Sequence, residues 1–180
     1  MNAQRSDDDA VLARTLRGVA HLTLNRPRAI NALGLDMIRD LAAALDRWRD
    51  DTDIELILLD GAGERGFCAG GDVRALHGLV VEGRVDQVHT YFREEYALDH
   101  LIATYPKPVV AIADGVTMGG GIGLAGHAAI RIVTENSRLA MPETRIGFTP
   151  DVGGSWLLSR APGRLGEYLG LTGATMDAAD

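Results

Sequence analysis

Two carboxylates stand out by their surroundings. Glu143 and Asp151 lie eight residues apart in A-M-P-E-T-R-I-G-F-T-P-D-V-G-G, residues 140–154, among Met141, Ile146, Phe148 and Val152. A carboxylate partly withdrawn from water has a raised pKa and can serve as acid, base or nucleophile. The competing reading is structural: Glu143 caps a turn, and Asp151 caps a helix opening at Gly153.

Two glycine loops could supply the complementary electrophilic chemistry. Cys68-Ala69-Gly70-Gly71-Asp72 and Met118-Gly119-Gly120-Gly121 each follow a β-rich run. Loops without side chains bring backbone N–H groups up to a ligand oxygen, and one N–H from each loop makes an oxyanion hole. Tight turns and close helix packing are the alternative use of such glycines. A further match, G-x-G-x-x-G at 121–126 with Glu143 about twenty residues on, has the form of a dinucleotide fingerprint. Its context argues against it, because Asp114 to Gly120 separate it from the preceding strand and Ile130 to Val133 ends well before Glu143. It remains the runner-up.

Other reactive side chains form no pattern. His21, His77, His89, His100 and His127 lack metal-ligand spacing, and no metal site is expected. Ser155 sits in G-G-S-W rather than a nucleophile elbow. The single Cys68 excludes an internal disulfide, fits a reducing compartment and reads as a small buried residue. Glu94 and Glu95 fall on a helix where a solvated face pairing with Arg93 is the simple reading, yet Tyr91, Phe92 and Tyr96 imply burial of part of that turn. Arg26, Arg28, Arg65 and Arg74 flank the first strand end and the first glycine loop and could meet phosphates.

The elements that must hold these residues alternate. Residues 1–10 read as a disordered N-terminus and 11–180 as one core domain. Val11–Leu16 and Val19–Leu24 form a hairpin around Arg17-Gly18, closed by Pro27. Leu35–Trp48 has helical periodicity, and Ile54–Leu59 is a buried-type strand. Asp72 caps a short helix through His77, residues 80–84 connect, and a long helix runs from Val85 to Tyr105 with Val88, Phe92, Leu98 and Ile102 in the core. Strands follow at Val109–Ala113, Ile130–Val133 and Arg138–Ala140, with a loop at Gly119–Gly121 opening a helix over Ile122–Gly126. Trp156–Arg160 and Leu165–Leu171 are helical, and T-M-D-A-A-D at 175–180 signals a further helix, as if the architecture were cut short. The order is that of an α/β fold.

Composition narrows the partners. A net charge of −7 and a pI near 5.2 argue against general nucleic-acid binding. No apolar run of 18 residues exists for a transmembrane helix, and residues 1–9 lack a signal h-region and are acidic, unlike a transit peptide. A cytoplasmic location is the resulting expectation.

Taken together, F-C-A-G-G-D-V-R-A-L at 67–76, F-R-E-E-Y at 92–96 and M-G-G-G-I-G-L at 118–124 resemble the crotonase (enoyl-CoA hydratase/isomerase) superfamily. With the 140–154 segment and L-T-G-A-T at 171–175, the sequence is most similar to the 3-hydroxyisobutyryl-CoA hydrolase branch, from about Val19 onward. The resemblance implies a spiral of β-β-α repeats with surrounding helices, the C-terminal helical part being absent from these 180 residues. It implies an acyl-CoA thioester substrate, no separate cofactor, and room for a homo-oligomer. It places the oxyanion donors at Gly71 and Gly120, the catalytic acids at Glu143 and Asp151, and a substrate-facing acid at Glu95. Hydratases carry a second glutamate where this chain has Gly123, and usually a small residue where it has Asp151. The resemblance therefore implies hydrolysis of 3-hydroxyisobutyryl-CoA in valine catabolism, with 3-hydroxypropionyl-CoA as a further substrate. A hydratase or isomerase using Glu143 alone, and a non-catalytic CoA-binding remnant, are the alternatives.

Overall fold

The computed structural model describes residues 9–180. The hairpin forms as the sequence predicts: β1 (Val11–Leu16) runs antiparallel to β2 (Val19–Leu24), with Arg17 and Gly18 at positive φ in the turn. The N-terminal segment assigned to disorder falls largely outside the described residues. Of its last two members, the Asp9 carbonyl accepts from the Asn25 side chain and the Ala10 carbonyl from the Asn25 N–H.

β3 (Leu56–Gly61) lies parallel to β2, β4 (Val109–Ile112) parallel to β3, and β6 (Ile130–Ile132) parallel to β4, giving a five-stranded sheet in the order β1-β2-β3-β4-β6. β3 begins two residues later than Ile54, which is buried but turns the chain into the strand. A second, two-stranded sheet pairs β5 (Val116–Met118) with β7 (Arg138–Ala140) in parallel. β5 is too short, and too close to Asp114-Gly115, for its sequence to announce a strand.

Helices cover these sheets. α1 (Leu35–Trp48) buries Met37, Ile38, Leu41, Ala44, Leu45 and Trp48, the 3.6-residue stripe that its periodicity requires. α2 (Val73–Val81) carries on past His77 into the first two residues of the expected connector, and its N-cap is Asp72, whose carboxylate accepts from Ala75 N–H at 3.2 Å. α3 (Val85–Ala103) buries Tyr91, Glu95, Leu98, Asp99 and Ile102. That stripe is rotated from the apolar one expected, so two acids take core positions while Val88 and Phe92 stay partly exposed.

α4 (Gly120–Gly126) starts inside the predicted glycine loop, and α5 (Gly154–Leu158) and α6 (Leu165–Thr172) follow β7. Residues 174–180 form no helix; Met176 bridges to Leu139 instead. The β-β-α progression and parallel sheet are those of the crotonase spiral. Among the described residues, no helix is long and apolar enough to cross a membrane.

Candidate active site

The first glycine loop is anchored from below by a residue whose role the sequence did not reveal. Asn31 is fully buried at φ 53°, and its amide nitrogen lies 3.0–3.1 Å from the carbonyls of Ala62, Gly66 and Phe67. Its side-chain oxygen accepts from Arg26 N–H at 2.9 Å. One side chain thus satisfies backbone groups along the loop that leads to Gly71, groups that would otherwise be orphaned in the interior. Cys68 packs beside it and points Sγ at the Asn31 carbonyl, 3.3 Å away. Burial pushes the Cys68 thiol up to about 12, so it stays protonated and serves as packing.

Gly71 and Gly120 come together from the two loops. Gly120 is the first residue of α4, where an N–H has no intrahelical acceptor, and Gly71 N–H makes no hydrogen bond among the described residues. Gly71 N lies 3.5 Å from the point a Cβ on Gly120 would occupy. Such a Cβ would overlap Glu95 Oε1, so glycine is required here to let the carboxyl approach the backbone. Two unpaired N–H groups side by side at a helix N-terminus can stabilise a developing oxyanion.

Three acids line the same cavity of about 360 Å³, with Gly71, Gly119 and Gly120 on one side and Leu76, Val80, Phe92 and Phe148 among its apolar walls. Glu143 opens a 3-10 turn (Glu143–Ile146), and its Oε1 lies 3.0 Å from a Cβ position on Gly119. Its Oε2 is buried with no partner among the described residues. Burial, with the charge of Asp151 adding to it, pushes Glu143 up to about 7, against the opposing hydrogen bond from its own N–H.

Asp151 accepts from the Tyr96 hydroxyl at 2.8 Å; burial raises its pKa and that hydrogen bond partly offsets the rise. Burial, then the Asp151 charge, lifts Glu95 to about 8. The Tyr91 hydroxyl lies 3.2 Å from both Glu95 Oε1 and the Leu33 carbonyl. Its single proton serves one acceptor at a time, so a protonated Glu95 that donates to Tyr91 satisfies all three groups.

Behind Glu95, one turn along α3, Asp99 packs against Gly123, one turn along α4. Its Oδ1 is 2.6 Å from a Cβ position there, and Val152 Cβ is 2.9 Å from the same point. Both Asp99 oxygens are buried without partners among the described residues, and burial followed by the Glu95 and Asp151 charges lifts this acid to about 9. The space beside Gly123 is therefore already filled, and a glutamate at that position would not fit. Asp99, Tyr96 and Val152 line a second cavity of about 600 Å³.

The structure thus gathers Gly71, Gly120, Glu95, Glu143 and Asp151 around one space, and it corrects several alternatives. Neither acid is a cap: the residue before α5 is Gly153 and that before the Glu143 turn is Pro142, neither helix having a side-chain cap bond. The G-x-G-x-x-G match lies inside α4 with its glycines buried against Cys68, Asp99 and Leu157, so it has no nucleotide-facing turn. Glu94, not Glu95, holds the solvated position on α3, and it pairs with Arg39 at 2.7 Å rather than with Arg93. Of the arginines considered for phosphate, Arg26 is committed to Asp72 and the Ala32 carbonyl, and Arg65 reaches the Arg28 carbonyl. Asn31 and Asp99 were missed. The only sequence signal for Asp99 was its spacing, four residues after Glu95 on a stripe otherwise formed by Tyr91, Leu98 and Ile102.

Known proteins match this chain in sequence and in fold. The family model for enoyl-CoA hydratase/isomerase matches residues 19–180. The mitochondrial 3-hydroxyisobutyryl-CoA hydrolase of Xenopus tropicalis is 50% identical over 160 residues, covering 88% of this chain and 41% of its own length. Small ribosomal subunit protein mS47 of Neurospora crassa is 49% identical over 172 residues, covering 94% of this chain and 34% of that protein. A crystal structure of an enoyl-CoA hydratase from Rhodobacter sphaeroides superposes with a TM-score of 0.93 at 49% identity, covering 96% of this chain and 51% of that one. The chain thus spans about half or less of the length of these three relatives. With its family model matched over nearly the whole sequence and its β-β-α core superposing on a solved member, the chain belongs to the enoyl-CoA hydratase/isomerase family.

Proposed function

We propose that this chain carries the catalytic groups of an acyl-CoA thioester hydrolase acting on 3-hydroxyisobutyryl-CoA, with 3-hydroxypropionyl-CoA as a second substrate. The observation that carries the reading is the filled space at Gly123. Addition of water across a double bond by paired glutamates needs a carboxylate there, whereas Asp99 and Val152 occupy it. The remaining acids converge on Glu143 and Asp151 in the cavity beside Gly71 and Gly120. The identity to curated hydrolases supports the same choice.

In this reading the thioester carbonyl oxygen rests between the Gly71 and Gly120 N–H groups, which bind the tetrahedral oxyanion more tightly than the ground-state carbonyl. Glu143, ionised above about 7, takes a proton from water as the water oxygen bonds to the carbonyl carbon. Collapse of the oxyanion breaks the C–S bond, and the proton held by Glu143 passes to the departing thiolate, leaving free acid and CoA. Direct attack by Glu143 Oε2, giving an anhydride that water then opens, uses the same groups in the same places. Asp151 accepts from the acyl 3-hydroxyl, and neutral Glu95 beside it turns its single proton from Tyr91 to that hydroxyl when substrate is bound. CoA enters as part of the substrate, and the step draws on no other cofactor.

A non-catalytic reading is favoured by one observation, the 49% identity to a protein named as a ribosomal subunit component. Release of thiol from 3-hydroxyisobutyryl-CoA, compared between the protein and its Glu143→Gln variant, separates the two. Turnover that depends on Glu143 supports the hydrolase. Thermal stabilisation by CoA with no turnover supports the binding-only alternative.

A further inference from the structure

Asp151 reaches the cavity from an unusual stretch of backbone. Val152, the next residue, has φ 44°, a region that a β-branched side chain rarely enters, and Gly153 follows at φ 73°. These two left-handed residues reverse the chain between Asp151 and α5. The turn sends the Asp151 carboxylate toward Tyr96 and drives the buried Val152 side chain beneath Gly123. Something outside the turn must hold it, since strained dihedrals persist only where their surroundings over-determine them.

His127 is placed to do this. It is the C-cap residue of α4, and its Nε2 lies 2.8 Å from the Val152 carbonyl. A carbonyl only accepts, so Nε2 carries the hydrogen. Gly153 leaves room for the imidazole: a Cβ there would stand 2.5 Å from Nε2. On its other side the ring meets Trp156 at 5.9 Å between centroids, and Arg160 stacks over Trp156 at 3.5 Å. The same short helix offers the Gly120 N–H at its first residue and the His127 clamp at its end.

We infer that His127 is the positioning residue for Asp151, locking the left-handed Val152 turn so that α4 fixes the Asp151 carboxylate relative to the oxyanion donor at Gly120. The inference rests on the proposed role of Asp151 in holding the acyl 3-hydroxyl. It makes His127 a determinant of selectivity that never touches substrate.

The test compares kcat/KM for 3-hydroxyisobutyryl-CoA with that for isobutyryl-CoA, which lacks the hydroxyl, in the unsubstituted protein and in Asp151→Asn, His127→Leu and His127→Gln. Asp151→Asn lowers the preference for the hydroxylated substrate and sets the scale. His127→Leu is expected to lower the same preference by about tenfold or more, since small displacements of an aligned group carry such losses. His127→Gln, whose amide can replace the Nε2 donor, is expected to restore most of it. A merely structural histidine would lower thermal stability in both variants and leave the preference unchanged. That result, alongside an effect of Asp151→Asn, overturns the inference.

If the protein does not hydrolyse these substrates, or Asp151→Asn leaves the preference unaltered, the functional reading fails. Amide exchange at Gly154 then decides the inference alone, because the Gly154 N–H donates to the Asp151 carbonyl inside this turn. His127→Leu must accelerate that exchange about tenfold or more and His127→Gln must restore it. Protection retained in His127→Leu overturns the inference.

Discussion

Asp99→Asn is expected to make stability less dependent on pH. In the native protein Asp99 is buried, neither oxygen has a partner among the described residues, and it is lifted to about 9, whereas an unfolded chain ionises it at the ordinary value of 3.8. Between those values the folded state holds a proton that the unfolded state has released. The contribution of this group to stability is therefore present in full at low pH and is lost as pH rises toward 9. One proton of difference corresponds to about 1.36 kcal/mol per pH unit, so the loss between pH 5 and pH 8 approaches about 4 kcal/mol. Asparagine keeps the shape and cannot ionise. Urea unfolding of both proteins at pH 5, 6, 7 and 8 measures the difference directly. The variant should gain on the unsubstituted protein by about 1.4 kcal/mol for each unit. A stability difference that is the same at every pH would mean that Asp99 is already ionised in the native state. That would refute the reasoning that links burial beside Gly123 to a neutral acid.

Other consequences can be measured alongside. Turnover of the unsubstituted protein should rise with pH through about 7, where the buried Glu143 ionises, and a profile flat across that range would remove Glu143 as the base. Glu143→Gln should reduce turnover by about a thousandfold or more without unfolding the protein, as measured by thiol release and thermal melting. Gly123→Ala places a methyl 2.6 Å from Asp99 Oδ1 and 2.9 Å from Val152 Cβ. It should cost about 1–3 kcal/mol, less in a background where Asp99 is alanine, by denaturant titration of the double-mutant cycle. Asn31→Ala strips buried carbonyls of their donor and should destabilise by about 2–4 kcal/mol, with loss of turnover as the Gly71 loop loosens.

The parts of the site that were legible in the sequence share a property: their residue types are unusual for where they stand. Glu143 and Asp151 were acids among apolar neighbours, and Gly71 and Gly120 were members of glycine clusters following strand-like runs. The hairpin and α1 were legible because period-2 and period-3.6 patterns report burial directly. What stayed hidden depends on contacts made across the fold. Asp99 occupies a core position of α3 because Gly123 of α4 leaves room for it, and neither helix shows that alone; Glu95, which Gly120 accommodates in the same way, was named through the family resemblance. Asn31 gives no signal in the sequence, since the backbone groups it serves come from a loop more than thirty residues downstream. His127 lacked ligand spacing because its partner is a backbone carbonyl. β5 and the residues around Met176 pair with β7 over a very few residues, too short a run for any periodicity to register.

The central claim is that the filled space at Gly123 and the acids Glu143 and Asp151 make this a hydrolytic site. The most direct measurement follows thiol release from 3-hydroxyisobutyryl-CoA and loss of enoyl absorbance from crotonyl-CoA with the same preparation. The expected result is thiol release that disappears in Glu143→Gln, with little or no hydration of crotonyl-CoA. Hydration of crotonyl-CoA without release of thiol from the hydroxylated thioester would contradict it.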